Sequence, residues 1–226
     1  MRLLIDSWPC PGPTGQSVEF ALSFDRGRDR RLLIVPPLLE EMNRTRRMLA
    51  TTMRELDARG IDSFLPDLPG TNESLQSFSA QSLHGWRTAM ALAARHFAAN
   101  RVLALRGGAL VFPNTLPGWV LEPVMGATLL RRMLRTRVLA SREAGRHEDS
   151  ATLLAQGREE GIELAGYYLG PALVAGLESA RPLDEGQREI RMTELGGSAL
   201  WLRAEPGEDA AQSVRLAQIV AEEFDA

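Results

Sequence analysis

The sequence predicts an α/β fold: a mainly parallel, twisted sheet with helices on both faces and a small helical cap insertion. Apolar runs of strand length alternate with amphipathic helical segments along most of the chain, which is the order of a parallel sheet. The 226 residues are 44% hydrophobic and 24% charged, which is enough for one domain with a full core. We therefore expect a single domain over residues 1–226.

Several segments are predicted to be strands because they are apolar, or alternate in polarity, between turn-forming residues. In order they are 17–24, Arg31–Val35, 61–65, Arg101–Leu105, Gly118–Leu121, 188–195 and 198–203. The run at 31–35 must stop at Pro36 and Pro37, since proline cannot continue a ladder of hydrogen bonds. Residues 7–15 are rich in Pro and Gly and predict an irregular lead-in.

Other segments have apolar residues three and four positions apart and predict amphipathic helices. They are 44–58, a helix that begins at Ser79 or Ser82, 127–139, 148–160, 171–177 and 210–224. Asn43 is expected to cap the first helix, and a proline opens the helix at 171. The alternation of strands and helices is interrupted over 141–182, where 162–169 predicts a short hairpin or strand. We expect this insertion to form the cap.

The strand Arg101–Leu105 runs into Arg106 and the pair Gly107 and Gly108, which permits a sharp turn before a short helical run. Strand, turn and helix have the local shape of a nucleophile elbow, where the middle residue of G-x-S-x-G presents a serine above the sheet. Arg106 stands at the serine position. A guanidinium stays protonated and cannot attack a carbonyl, but it can hold a carboxylate or phosphate through two hydrogen bonds.

Composition excludes several classes of function. A net charge of -3 gives no overall electrostatic reason to bind nucleic acid or an anionic membrane. All 26 basic residues are arginine, which excludes Schiff-base and phosphate-loop lysines. Cys10 has no partner for an intrachain disulfide and no apolar run approaches the ~20 residues of a membrane span, so we expect a cytoplasmic protein. We expect no metal site and no cofactor, because no ligand cluster or dinucleotide fingerprint is present.

Four stretches of the chain bear a family resemblance. They are PPLLEEMNRTRRM at 36–48, LPDLPG at 65–70, LRGGAL at 105–110 and LAGYYLGPAL at 164–173. Together they resemble the α/β-hydrolase superfamily, and within it the exosortase A system-associated hydrolases of type 2. The resemblance implies an α/β-hydrolase sheet, a cap from 141–182, and an oxyanion-hole loop opened by Pro36 and Pro37. It also implies a gene neighbourhood for exopolysaccharide production and for sorting of proteins with a short C-terminal signal.

A hydrolase of this fold needs a nucleophile, an acid and a histidine in that chain order, with the histidine after the last strand. None of His84, His96 and His147 follows the last predicted strand. Glu194 could occupy the acid position, but it would have no histidine to orient. His84 and His96 are interpreted as surface or helix-packing residues, whereas His147 could swing over the pocket. No catalytic residue is assigned.

Polar residues collect at the predicted carboxyl ends of the strands, where the crevice of an open parallel sheet lies. The predicted ligand-binding residues are Glu40, Glu41, Asn43, Arg44, Asp67, Arg106 and Glu122. Arg106 would be partly buried there and needs an anionic partner, for which Glu41 and Glu122 are the obvious choices. Either that ion pair is structural and replaces the function of the elbow, or Arg106 binds a ligand.

Two functions remain open. The first is a degenerate α/β-hydrolase that lacks the Ser-His-acid triad and binds a small molecule or a partner protein. The second is an ester or thioester hydrolase or acyltransferase in which Glu41, Asp67 or Glu122 activates water and Arg106 stabilises the developing charge. The arginine-rich run at 131–137 predicts a solvated or partner-facing surface rather than a nucleic-acid site, and the apolar residues beside it could form the floor of a cap or a homodimer contact.

Overall fold

The computed structural model describes residues 4–12, 15–183, 186–203, 205 and 207–225. The strands are β1 Leu4–Gly12, β2 Gly15–Phe24, β3 Arg31–Val35, β4 Asp62–Pro66, β5 Arg101–Leu105, β6 Gly118–Leu121, β7 Ile162–Leu164, β8 Tyr167–Leu169 and β9 Gln187–Ile190. Seven of them form one sheet in the order β1-β2-β4-β3-β5-β6-β9, and β7 and β8 form a separate hairpin. The pairs β1-β2 and β2-β4 are antiparallel, and all other pairs in the large sheet are parallel. The predicted mainly parallel sheet is confirmed.

Helices cover both faces of the sheet. They are α1 Glu40–Ala58, α2 Leu83–His96, α3 Gly126–Glu143, α4 Ser150–Glu159, α5 Pro171–Ser179, α6 Met192–Leu195 and α7 Ala210–Glu222, with 3₁₀ helices at Phe78–Ala80, Arg106–Val111 and Leu200–Leu202. Alternate residues of β3 separate two cores. Leu33 and Val35 belong to the core with α2 to α5, whereas Leu32 and Ile34 belong to the core with α1 and α7.

Local signals explain several boundaries. Ser82 caps α2, because its hydroxyl accepts a hydrogen bond from the Gly85 N–H at 3.0 Å. Pro171 occupies the first turn of α5, where its missing N–H costs nothing. The segment predicted as a hairpin or strand is the hairpin of β7 and β8.

The irregular lead-in predicted over 7–15 is wrong, because β1 is an edge strand that pairs with β2. Prolines fit an edge strand when their missing N–H groups would have pointed away from the sheet. Pro9 and Pro11 share the strand parity of Ser7, whose N–H donates to Asp6 Oδ1 at 2.8 Å. The outer edge therefore offers few free donors, which discourages pairing with a further strand.

The last two predicted strands are wrong in part. The segment 188–195 divides into the end of β9 and the short helix α6, and 198–203 contains a 3₁₀ helix and no strand. Both differences arise because the chain leaves the sheet between the two segments, at residues 196 and 197.

Two glycines and one glutamine explain this departure. Gly196 and Gly197 have φ angles of 74° and 72°, which turn the chain away from the sheet. Gln212 of α7 then donates from Nε2 to the carbonyl oxygens of Gly196 and Ser198, both at 2.9 Å. These carbonyls are consequently unavailable to a β-ladder.

The predicted cap segment packs into the same core as the large sheet. Buried residues of α4, of the β7-β8 hairpin and of α5 lie in one cluster with residues of α2 and α3, among them Leu153, Ile162, Leu173, Trp86 and Leu129. The ring of Tyr167 also lies 5.0 Å from that of Phe78. Among the described residues, none of the helices combines the length and apolar character needed to cross a bilayer.

Candidate functional site

β5 turns sharply at its carboxyl end. Arg106 has a φ of 52°, in the left-handed region that non-glycine residues rarely adopt. A Cβ on Gly108 would lie 2.5 Å from the carbonyl oxygen of Pro36 and 2.8 Å from that of Val35. Only glycine fits at this distance, so Gly108 lets the elbow lie directly against the end of β3.

The Arg106 side chain is fully engaged and only 14% exposed. Its Nε donates to Glu41 Oε2 at 3.1 Å, and its Nη1 donates to the main-chain oxygen of Glu122 at 2.9 Å. The guanidinium carbon lies 4.9 Å from the centroid of the Trp201 ring, within cation–π range. Because the Glu41 side chain is 1% exposed, this ion pair is shielded from solvent.

Only one of the two expected carboxylate partners is confirmed. Glu41 pairs with Arg106, but Glu122 contributes its main-chain oxygen. The Glu122 carboxylate instead accepts the Met192 N–H at 2.7 Å, because β6 and β9 are neighbours and Met192 follows β9. Glu122 thus joins the end of β6 to the start of α6.

Arg132 of α3 supplies a second guanidinium to Glu41, with its Nη1 2.9 Å from Glu41 Oε1 and its Nε 3.5 Å from Glu40 Oε1. Arg44 binds Glu40 Oε2 at 3.1 Å. We call Glu40, Glu41, Arg44, Arg106 and Arg132 the carboxyl-end cluster. Three guanidiniums face two carboxylates, so the ionised cluster retains one positive charge.

Sequence reasoning missed two participants in this cluster. Arg132 was interpreted within a solvated arginine run, although its side chain is 32% exposed and bound to Glu41. Trp201 was placed in a strand, but its 3₁₀ helix brings its main-chain oxygen to Arg44 at 3.1 Å and to Arg132 at 3.2 Å. Neither contact has a local sequence signal, because each joins elements far apart in the chain.

Asp67 lies at the end of β4, which β3 separates from β5. The Asp67 carboxylate accepts from the Asn72 side-chain amide and lies 3.4 Å from Arg46 Nη1. Burial raises the pKa of Asp67, although Asn72 and Arg46 act in the opposite direction. Asn72 has a φ of 48°, so it adopts the left-handed conformation that a glycine would otherwise supply.

Asn43 does not cap α1, contrary to the prediction. The helix begins at Glu40, and the residue at the cap position is Leu39. Glu40 and Glu41 occupy the first turn, where the helix dipole favours carboxylates. Asn43 is an exposed residue inside the helix. The structure therefore brings together Glu40, Glu41, Arg44, Arg106 and the main chain of Glu122, and it leaves Asn43 and Asp67 outside this group.

Backbone strain accumulates at the carboxyl ends of neighbouring strands. Leu39 after β3 has a φ of 60°, Arg106 after β5 has 52°, and Glu122 after β6 has 46°. Each such residue costs of order 1–3 kcal/mol, and strain of this kind concentrates at binding and catalytic sites. The backbone of this region thus resembles that of a functional site although its side chains are engaged with one another.

Among the residues that the structure describes, the side chains of a triad are not assembled around the elbow. His84 and His96 are exposed on α2, and His147 is exposed between α3 and α4. Glu194 is paired with Arg188, whose hydrogen bond lowers the pKa of that carboxyl to about 2. Burial raises the pKa of the Cys10 thiol to about 12, which makes it a poor nucleophile.

No protein-family model matches the chain, and no curated protein matches its sequence. Solved structures do resemble it. A protein assigned as a hydrolase from Agrobacterium vitis S4 is 14% identical over 77% of this chain and 71% of its own, with a TM-score of 0.54. Est1E from Butyrivibrio proteoclasticus, solved with ferulic acid bound, is 12% identical over 79% and 68%, with a TM-score of 0.50. The Pyrococcus furiosus esterase Pf2001 is 9% identical over 59% and 56%, with a TM-score of 0.43. The first two of these structures, together with the order of the strands, show that the chain has an α/β-hydrolase fold.

Proposed function

We propose that this chain is a non-catalytic protein of α/β-hydrolase fold that acts by binding a small molecule or a partner protein. The observation that supports this most directly is the state of Arg106. It occupies the nucleophile position, cannot attack a carbonyl, and is bound by Glu41 and by the Glu122 main-chain oxygen. A triad would also need an imidazole beside the elbow, and all three histidines are exposed elsewhere.

Within this proposal, the residues of the predicted site have two roles. Arg106, Glu41 and Glu122 hold together the carboxyl ends of β5 and β6 and the first turn of α1. Glu40 and Arg44 are 21% and 19% exposed, so they can meet a ligand or partner directly. Asn43 and Asp67 extend the surface along α1 and the loop after β4. The positive charge that the carboxyl-end cluster retains favours an anionic group on the partner.

The pathway and the domain organisation are also proposals. The resemblance to exosortase A system-associated hydrolases supports a role in exopolysaccharide production or in sorting of proteins with a short C-terminal signal. We further propose one domain with a closed cap over 141–182, which the shared core of the cap helices and α2 supports. Deleting the gene in its host should change exopolysaccharide output or the sorting of such proteins.

The decisive experiment is hydrolysis of acyl esters and thioesters of graded chain length by the wild-type protein, beside Arg106→Ala and Glu41→Gln. We expect no turnover in any of the three proteins, and lower stability in both variants. Arg106→Ser should also remain inactive, because no histidine lies beside it. Wild-type turnover that disappears in Arg106→Ala or Glu41→Gln would refute the proposal, and activity in Arg106→Ser would reveal an unrecognised base.

A second candidate is a hydrolase or acyltransferase that uses a carboxylate to activate water, with Arg106 as electrostatic stabiliser. The raised pKa of Asp67 makes it the carboxylate that we assign as the base in this alternative, because a general base works best when its pKa lies near the pH of the reaction. If it is correct, turnover should fall with Asp67→Asn and should rise with pH through the pKa of Asp67. Arg46→Gln should shift that profile toward higher pH, because Arg46 favours the ionised carboxylate.

A further inference from the structure

A cavity of about 250 Å³ lies between α2, the segment that contains the 3₁₀ helix Arg106–Val111, and the chain after α5. Its polar lining residues are Arg87, Arg181 and Asn114, and all three are exposed. The other lining residues are apolar, and among the described residues no acidic side chain lines the cavity. The cavity shares no residue with the carboxyl-end cluster.

Arg87 can bind an anion through the two Nη groups of its guanidinium. Its Nε donates to the main-chain oxygen of Leu110 at 2.8 Å, which anchors the guanidinium at the cavity. Both Nη groups remain available, since neither donates to an acceptor among the described residues. Two Nη groups held in one plane match the two oxygens of a carboxylate or phosphate.

The floor of the cavity favours an apolar body on the ligand. Leu110 and Ala109 are each 2% exposed and Phe112 is 6% exposed, so they form a buried apolar surface. Leu183 at the rim is 45% exposed and can cover a bound group. At ~30 Å³ for each water, the cavity has room for about eight waters, which corresponds to a compact ligand of roughly ten non-hydrogen atoms.

We propose that this cavity binds a small organic anion, a carboxylate or phosphate monoester attached to a compact apolar body. The guanidiniums of Arg87 and Arg181 hold the anionic group and the Phe112 side of the cavity receives the apolar group. Sites of this kind combine an apolar lining with a few convergent polar groups. The inference does not rest on the proposed function, since it involves a different part of the molecule and equilibrium binding only.

Calorimetric titration with benzoate and phenyl phosphate tests the proposal, with benzyl alcohol as the uncharged probe and sodium chloride at matched ionic strength. We expect both anions to bind, benzyl alcohol to bind at least tenfold more weakly, and added salt to weaken the anions. Absence of anion binding at millimolar concentration, or equal affinity for benzoate and benzyl alcohol, would overturn the proposal. Neither result depends on whether the protein hydrolyses esters.

Variants locate the binding. Arg87→Gln and Arg181→Gln should each weaken benzoate at least tenfold, whereas Arg135→Gln, at an exposed position of α3, should leave it unchanged. Ala91→Phe fills the lined space without changing charge, so it should abolish binding of both anions. Thermal denaturation of each variant verifies that it is folded. Benzoate affinity that survives in all of the folded cavity variants would place the anion elsewhere and overturn the assignment.

Discussion

The two ends of the sheet are both held by arginine and carboxylate, but they differ in their backbones. At the amino ends, Asp25, Arg26, Arg28, Arg31, Asp57 and Asp62 form what we call the amino-end cluster. The Asp62 side chain is fully buried and accepts from Arg28 Nη1 at 2.9 Å and from the main-chain N–H groups of Arg26 and Arg28 at 3.0 and 2.8 Å. At the carboxyl ends, Glu41 is the buried carboxylate and is shared by Arg106 and Arg132.

Strain separates the two clusters. Leu39, Arg106 and Glu122 have positive φ angles after three neighbouring strands at the carboxyl ends. At the amino ends the loop of the cluster has its positive φ at Gly27, which adopts it without cost, and Ala98 before β5, with a φ of 47°, lies outside the cluster. Burying arginine–carboxylate pairs therefore does not by itself require a strained backbone. The strain at the carboxyl ends is a property of the elbow and its neighbouring loops, and the ion pairs stabilise it.

Asp62→Ala should have the largest effect on stability. The substitution removes a fully buried acceptor that Arg28 and Arg31 share and leaves two main-chain N–H groups without theirs, while Arg28 keeps Asp57 and Arg31 keeps Asp25. We expect a loss of about 3–5 kcal/mol in the free energy of unfolding, measured by urea denaturation. Asp225→Ala, at an exposed position with one weak ion pair, is the control and should change it by less than about 0.5 kcal/mol. A loss at Asp62 below about 1 kcal/mol would contradict this account.

Arg106→Ala should cost less, about 2–3 kcal/mol, because Arg132 still neutralises Glu41 after the substitution. Denaturation of the double variant with Arg132→Ala measures the coupling. The double variant should lose more than the sum of the two single variants, since only then is Glu41 buried without a cation. Additive losses would show that the two guanidiniums stabilise Glu41 independently.

Comparing the stabilities of a glycine and an alanine variant at the same position measures the cost of backbone strain there. Arg106→Gly should be more stable than Arg106→Ala by about 1 kcal/mol, because glycine adopts a φ of 52° without penalty. Arg28 has no positive φ, so Arg28→Gly should be less stable than Arg28→Ala. If the glycine and alanine variants have the same order of stability at both positions, the two ends of the sheet do not differ in backbone strain.

The pH dependence of stability in Asp67→Asn tests the carboxylate at the end of β4. The pKa of Asp67 is raised in the folded protein, so ionisation is penalised by folding and the penalty is present above the folded pKa. We expect the variant to be slightly more stable than wild type at pH 7 and equal to it near pH 3. Greater stability of the wild type at pH 7 would show that the Arg46 contact dominates over burial.

Asp25→Asn gives the opposite sign at the amino ends. A hydrogen bond from Arg31 lowers the pKa of Asp25 to about 2, so its contribution is present above the ordinary value of 3.8 and is lost as pH falls toward 2. The variant should therefore lose a small amount of stability at neutral pH and show a flatter acid limb in denaturation midpoints. We expect this to be the smallest effect, because the Asp25 side chain is 38% exposed.

The sequence was informative where burial alone determines the element. The bounds of β3, β5 and β6 match the prediction because strands covered on both faces are uniformly apolar. Arg106 was identified as the occupant of the elbow because the motif is local. β1 was missed because proline signals a break unless the strand is known to be an edge. The position of Arg132 beside Glu41 depends on how α3 packs across the sheet, which no local pattern specifies.

The packing of α4 and α5, which we propose as the cap, has a consequence for motion. Leu153 and Leu173 share one buried cluster with Trp86 and Leu129, so separating the cap from the sheet would expose apolar surface of both at once. Amide hydrogens of α4 and α5 should then exchange with solvent together with those of α2, in the same cooperative unit and with a similar opening free energy. The segment 141–182, which sequence alone would describe as a lid, would then unfold together with the core and would not move independently of it.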